Sequence, residues 1–265
     1  MPTHRPNWST VVVTGADAGA FLHSFCTNDV KGLAPGSACE AFFTDVKGHT
    51  LAHAIVCRTP EDYRVVVTSP NAPALAEHLE RYHIREQVKI EVEANPVTLE
   101  LEELAGDYHI DGLAANLLFS KESRNSAEID DEAFNSYRIE QGFPVDGADV
   151  EPSRLPQEVN RNHLAISFTK GCYLGQETVA RLDALGHVNR KLVSVQWEGQ
   201  QAPVVGMPLI HAGKEVGHVT SACYSQRIAA PLALAYVRRE HCQGGSRLES
   251  AVGPATVLAS TAADS

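Results

Sequence analysis

Near His187 the period of the apolar residues changes, and that change divides the chain into two architectures. Beyond it, "RKLVSVQWEG" alternates Val193, Val195 and Trp197, and "PLIHAG", "EVGHVTSA", "LALAYV" and "ATVLAS" follow as short apolar runs separated by glycine and proline turns. Short period-two runs closely spaced by turns predict a small barrel or sandwich. Ahead of the change, strand-like and helix-like stretches interleave. "ACEAFFT", "TLAHAIVC" and "YRVVVT" read as strands, the first two joined by the turn "DVKG". Leu75, Leu79 and Tyr82 then fall at helical spacing, Val88, Ile90 and Val92 alternate, and "VTLELEEL" predicts a further strand. That order predicts an antiparallel sheet covered by helices on one side, an α+β arrangement.

The front of the chain, "STVVVTGADAGAF", predicts a strand over Thr10 to Val13 that turns through Gly15 into a helix from about Asp17. It is close to a dinucleotide-binding turn but lacks its chemistry. Such a turn needs glycines where backbone approaches a pyrophosphate, and Phe21 stands where the last glycine of the short-chain dehydrogenase pattern belongs. None of the tyrosines has the lysine four residues on that would lower its pKa for that chemistry. The simpler reading is a strand, a turn and a helix with Asp17 as its N-cap.

Lys121 to Asp131 is polar and predicts a surface connection, after which "DEAFNSYRIEQG" predicts a helix stopped by Gly142. "FPVDGADVEPSRLPQEVN" is then loop-like, and its length points to a site lining. Hydrophobic residues at 43% predict a packed core, and a net charge of −11 without a basic run argues against direct nucleic-acid binding. No apolar run approaches the roughly 18 residues that cross a bilayer, and no leader-like segment opens the chain, so a cytoplasmic location is expected. The six cysteines are scattered with no Cys-x-x-Cys pair, and the histidines lack metal-ligand spacing, so no resident metal is expected.

One cysteine stands apart from the rest. In "TKGCYLGQETVAR", Cys172 falls between a β-like "AISFT" and a helix-like "GQETVARLDAL" that Glu177 and Arg181 support at i,i+4. A thiol on a strand-to-helix turn, beside Lys170 and at the positive end of a helix dipole, favours the thiolate. Gly171 and Gly175 allow a tight turn and the approach of another molecule. From the residues alone, a reactive thiol and a buried structural cysteine both stand open.

The segment Lys170-Gly171-Cys172-Tyr173-x-Gly175-Gln176-Glu177 resembles the signature of the folate-binding YgfZ-type family of iron-sulfur cluster maturation factors, relatives of the glycine-cleavage aminomethyltransferase, or T-protein. "DAGAFLHSFCTNDV", "YRIEQGFPVDGADV", "GHVTSACYS" and "LALAYVRRE" extend the resemblance over nearly the whole chain, in the family's order. It implies a cloverleaf of α+β lobes around a central hole for tetrahydrofolate, with a C-terminal β-barrel. The lobes expected are 1–48 with 131–186, then 49–130 as a ferredoxin-like unit, then the barrel over 187–265.

Carried over from the family, Glu140 hydrogen-bonds the pterin, Asn28 and Asp29 edge the hole, and Lys170 and Arg181 hold the folate tail. Gly171, Gln176 and Glu177 complete the expected cofactor contacts, and Cys172 is the expected catalytic thiol. Each has an ordinary alternative: a solvated helix end for Glu140, a loop cap for Asn28 and Asp29, solvated charges for Lys170 and Arg181. The family transferase carries paired aspartates where "KGHTLAHAIV" has Ala52 and His53, which argues against aminomethyl transfer. A single cysteine cannot hold a cluster that takes about four thiolates, so Cys172 is expected to be one ligand in a shared site or a redox thiol. The expectation is a folate-binding accessory factor acting with iron-sulfur proteins or their assembly machinery. A one-carbon transferase and a folate-binding regulator with an inert thiol remain alternatives.

Overall fold

The computed structural model describes residues 1–93, 97–102, 107–119, 127–186 and 188–259. In chain order the first part holds β1 (Thr3–His4), β2 (Ser9–Thr14), α1 (Ala18–His23), β3 (Ala38–Thr44), β4 (Thr50–Arg58), β5 (Tyr63–Val67), α2 (Ala72–Glu80) and β6 (Lys89–Glu93). β7 (Thr98–Leu101), β8 (His109–Ile110), β9 (Ala115–Leu118), α3 (Asp131–Glu140), α4 (Asn162–Ala165) and α5 (Gln176–Leu185) follow. The remainder is β10 (Arg190–Trp197), β11 (Pro208–His211), β12 (Lys214–Ser225), β13 (Ala230–Arg238), β14 (Arg247–Ser250) and β15 (Gly253–Val257).

Five strands form an antiparallel sheet in the order β3-β4-β5-β2-β6. Alternation along its strands sends Ala52, Ala54 and Val56 of β4, with Val65 and Val67 of β5, toward α1 and α2, where Phe21, Leu22, Leu75 and Leu79 meet them. Each buried valine, leucine or phenylalanine among them contributes about 1.5–3 kcal/mol. The opposite face carries Ile55, Cys57 and Val66, and a second sheet in the order β1-β7-β9-β8 covers it with Leu99, Leu101 and Leu117. The expected one-sided cover of helices is therefore half of the answer, because the other side is closed by strands.

The expected boundary at 48/49 does not hold. β3 and β4 pair from Ala38↔Cys57 to Thr44↔Thr50 across the turn that contains Gly48, so the cut would run through a hairpin of one sheet. The predicted strand over "AISFT" is also absent. Asn28 Nδ2 donates to the Leu164 carbonyl at 2.7 Å and Thr27 Oγ1 to the Ala165 carbonyl at 2.6 Å, which ties this stretch to the loop after α1 instead of to a ladder. Asp17 occupies the N-cap of α1 without capping it; its carboxylate accepts from Gln87 N at 2.7 Å and pins α1 to the strand edge at β6.

The six C-terminal strands close into a barrel in the order β10-β13-β12-β11-β14-β15. Val195, Trp197, Leu209 and Ala235 fill its inside. The other face of β10 and β13, with Leu192, Leu234 and Tyr236, packs on Ile139, Val150, Tyr173, Val179 and Phe42 and so joins the barrel to the rest. Among the described residues no helix is long and apolar enough to cross a membrane.

Candidate functional site

The segment from Lys170 to Gln176 is held by its backbone neighbours almost atom by atom. Lys170 Nζ donates to the carbonyls of His23 (2.6 Å), Cys26 (2.7 Å) and Asn28 (2.9 Å), so all three ammonium protons end on the last residue of α1 and the loop that follows it. Its ammonium also lies 4.9 Å from the Tyr173 ring centroid, and burial lowers its pKa. Leu174 N donates to Ser24 O at 2.9 Å, Thr44 Oγ1 donates to Leu174 O at 2.6 Å, and Gln176 Oε1 accepts from Tyr173 N at 3.3 Å. Gly175 adopts φ +83° and lies so close to Asp45 O and Gly48 that a Cβ there would collide with both.

Within this clamp Tyr173 is buried and Cys172 is exposed. Of the six cysteines it alone is exposed; Cys26 and Cys57 are buried, and burial pushes both thiols up. The surroundings differ from the sequence expectation in two respects. Lys170 points into carbonyls and not toward the thiol, and α5 starts at Gln176, past the N-cap Gly175, so Cys172 precedes the turn where a helix dipole acts most strongly.

Most of the other expected contacts are engaged within the protein. Asn28 Nδ2 donates to Glu40 O and Leu164 O, and its Oδ1 accepts from Asp29 N. Asp29 accepts from Gly32 N at 3.0 Å and lies 3.3 Å from His23 Nδ1. Lys170 thus brings Asn28, Asp29 and the thiol segment together. Glu177 and Arg181 are exposed on α5, as is Gly171 beside the thiol. Glu140 sits apart from this group, at the end of α3 against the barrel, where one oxygen accepts from Ser225 Oγ and the other from Arg227 Nε at 2.6 Å. His187, expected nearest to Cys172, lies outside the described residues.

Sequence reading missed a buried polar chain next to a cavity. The cavity holds about 360 Å³ and is lined by the start of β4 (Thr50, Leu51), the entry to α2 (Ser69 to Asn71) and the loop after α3 (Asp146, Gly147 and Val150 to Pro152). Asp146 accepts His53 N at 2.9 and 3.1 Å on its two oxygens, and burial raises its carboxyl to about 6. Thr50 and Ser69 each carry a buried hydroxyl oxygen without a partner. Behind the wall, His53 Nε2 lies 2.9 Å from Glu40 Oε1, and Arg161 grips the same carboxylate through Nε and through Nη2 at 2.6 Å. Burial alone would raise Glu40, but Arg161 and His53 hold it at about 2.

The hairpin position of interest is thus filled by Ala52, 2% exposed, and by His53, fully buried with its ring turned to Glu40. Among the described residues no cluster of His, Cys, Asp and Glu is arranged to hold a metal ion. The only sequence signal for Asp146 was the length of its loop.

These features define an α+β protein with a C-terminal barrel, an exposed thiol on a clamped segment and a cavity lined by Asp146. Residues 7–106 match the GCVT N-terminal domain and residues 190–263 the glycine cleavage T-protein C-terminal barrel domain, so the chain belongs to the glycine cleavage T-protein family. It is 29% identical to the mitochondrial iron-sulfur cluster assembly factor IBA57 of Mus musculus, over 71% of this chain and 64% of that one. It is 32% identical to an aminomethyltransferase of Rippkaea orientalis, over 44% of this chain and 31% of that one. The chain therefore spans less than two thirds of the length of either relative. The crystal structure of the glycine cleavage system aminomethyltransferase T from Bartonella henselae matches it with a TM-score of 0.84 over 98% of this chain and 85% of that one, at 16% identity. That likeness shows the T-protein fold with its C-terminal barrel, the fold the resemblance implied.

Proposed function

We propose that this protein binds a tetrahydrofolate-type cofactor and assists the assembly or repair of iron-sulfur proteins, with Cys172 as the residue that meets the cluster or its client. The observation that carries the reading is the clamp around the thiol. Lys170, Tyr173, Gly175 and Gln176 all serve to fix the segment, and the one side chain it turns outward is a cysteine. A fold that orders about seven residues at a conformational cost of roughly 1–2 kcal/mol each, and leaves a soft nucleophile at the tip, supports an encounter role for that atom. Similarity to an iron-sulfur cluster assembly factor supports the same direction.

The cavity fits the cofactor part of the reading. Its volume lies in the range of small-molecule sites, and its lining includes the polar residues Asp146, Ser69 and Asn71. Asp146, Thr50, Ser69 and Asn71 are the residues that would hold the ligand. A bound reduced folate would supply a one-carbon carrier or a reducing ring. The protein's own part is to seat it and to keep Cys172 exposed in the same fold.

A one-carbon transferase is the second reading, favoured by the identity shared with an aminomethyltransferase. Against it stand Ala52 and His53, which bring no carboxylate from the hairpin. Anaerobic calorimetry with tetrahydrofolate, paired with an aminomethyl-transfer assay, separates the two. Binding with no transfer supports the accessory factor; turnover supports the transferase, and absence of binding removes the folate from both.

A further inference from the structure

A second cavity opens on the barrel, and its lining carries two arginines and a histidine in a chain whose net charge is −11. It holds about 100 Å³, shares no lining residue with the first cavity, and is bounded by Arg190 of β10, Glu215 to His218 of β12, and Tyr236 and Arg238 of β13. Strand register explains the grouping. Arg190 stands directly opposite Arg238 on the β10–β13 ladder, and His218 stands opposite Tyr236 on the β12–β13 ladder. Leu192 and Tyr236 lie on the outer face of the barrel wall, and Arg190 and Arg238, each two residues along its strand, share that face. Directly opposed side chains of an antiparallel pair have Cβ atoms about 4.5–5.5 Å apart, and like charges placed so are destabilising. Among the described residues neither guanidinium reaches a carboxylate within ion-pair distance, Glu215 of the same cavity included, and His218 makes no side-chain hydrogen bond.

We propose that this cavity binds a tetrahedral oxyanion, free phosphate or the phosphoryl group of a small ester, on Arg190, Arg238 and His218. The site is separate from the folate reading and does not depend on it. A planar carboxylate is matched by one guanidinium fork, whereas donors that arrive from β10, β12 and β13 together suit the several oxygens of a tetrahedral group. Both guanidinium groups stay charged at every ordinary pH, and an anion between them replaces their repulsion with two attractions. The charges facing His218 are Arg190 on β10, Glu215 on its own strand and Arg238 on β13. From the loop after α3 comes Arg154, which stands 4.1 Å over the Tyr236 ring and pairs with Glu151 at 3.1 Å. Three arginines against two glutamates leave one positive charge, and protonation of His218 makes two, the charge that a dianion balances. Burial, with Arg154 and Arg190, lowers the pKa of His218 in the free protein. A bound dianion opposes that, so binding takes up a proton and tightens as the pH falls through the histidine's titration.

The test is titration of sodium sulfate, inorganic phosphate, glycerol phosphate and sodium acetate into the full chain, followed by the NMR signals of the His218 ring across about pH 5.5 to 8. Sulfate keeps both its charges over that range, so any pH dependence of its binding belongs to the protein. Sulfate and the two phosphates should move the His218 signals saturably and shift the histidine's titration upward, and acetate should do neither. Arg190→Gln and Arg238→Gln, both at exposed positions, should each weaken sulfate binding at least about tenfold. Glycerol phosphate binding more tightly than phosphate assigns the site to an ester, and the reverse order assigns it to the free anion; either supports the proposal. No saturable change at His218 in the native protein overturns it, a readout that needs no variant. Acetate binding as tightly as sulfate overturns the tetrahedral assignment, and sulfate binding unchanged in both variants means an adventitious ion only. None of these outcomes alters the result of the tetrahydrofolate titration.

Discussion

Arg161→Met removes the guanidinium that holds Glu40, and the cost can be worked from the geometry. Both residues are buried, and Arg161 engages the carboxylate through two nitrogens. Glu40 is held at about 2 against an ordinary value of 4.5, although burial acts in the opposite direction. That difference corresponds to about 3 kcal/mol, at roughly 1.4 kcal/mol per pH unit. Breaking a buried pair by deleting one partner costs about 3–5 kcal/mol in general, so the two figures agree. His53 remains as a second partner at 2.9 Å, which places the expectation at the lower end. Urea unfolding at pH 7 should therefore show a loss of about 3 kcal/mol. The pH dependence has a definite sign: the folded value lies below the unfolded one, so Glu40's contribution is complete above about 4.5 and disappears as the pH falls toward 2. Glu40→Gln should flatten the stability profile in that window. A loss below about 1 kcal/mol for Arg161→Met would refute the reasoning, since it would mean the pair is solvated like a surface ion pair.

Lys170→Met leaves the carbonyls of His23, Cys26 and Asn28 without their donor and should cost about 2 kcal/mol or more in thermal or urea unfolding. Gly175→Ala puts a methyl group against Asp45 O at a left-handed backbone position, so it should destabilise by about 2 kcal/mol or more and detach the thiol segment from the β3–β4 turn, read by faster proteolysis near Cys172. Asp146→Asn should raise the melting temperature of the ligand-free protein at pH 8. The folded carboxyl is raised above its ordinary 3.8, so its favourable contribution is complete below that value and lost as the pH rises through about 6; the gain should vanish by pH 4.

The barrel was legible because Val193, Val195 and Trp197 keep a strict period of two between clear turns, and those residues do fill its inside. The second sheet was not. Its strands β1 and β8 have two residues each and β7 and β9 four, too short for periodicity to register, and Ile55, Cys57 and Val66 look like any alternate residues until their cover is known. "DVKG" reads both as a turn and as a lobe edge, because a hairpin turn and a linker share their polar and glycine composition; the β3–β4 ladder makes it a turn. At the thiol, the motif marked the place; its exposure depends on where Lys170 sends its protons, a long-range matter reaching back to His23. Asp146 escaped notice because a lone aspartate before glycine defaults to a turn. Its environment is created by His53, from a strand far away in sequence.

The most direct measurement is the activity of an iron-sulfur enzyme in cells that lack this protein and are supplied with either the native chain or Cys172→Ser. The account predicts that the serine protein accumulates, folds and binds tetrahydrofolate as the native one does, yet restores little of the enzyme's activity. Full restoration by the serine protein would contradict the central claim, because the clamp would then be presenting a side chain that does nothing.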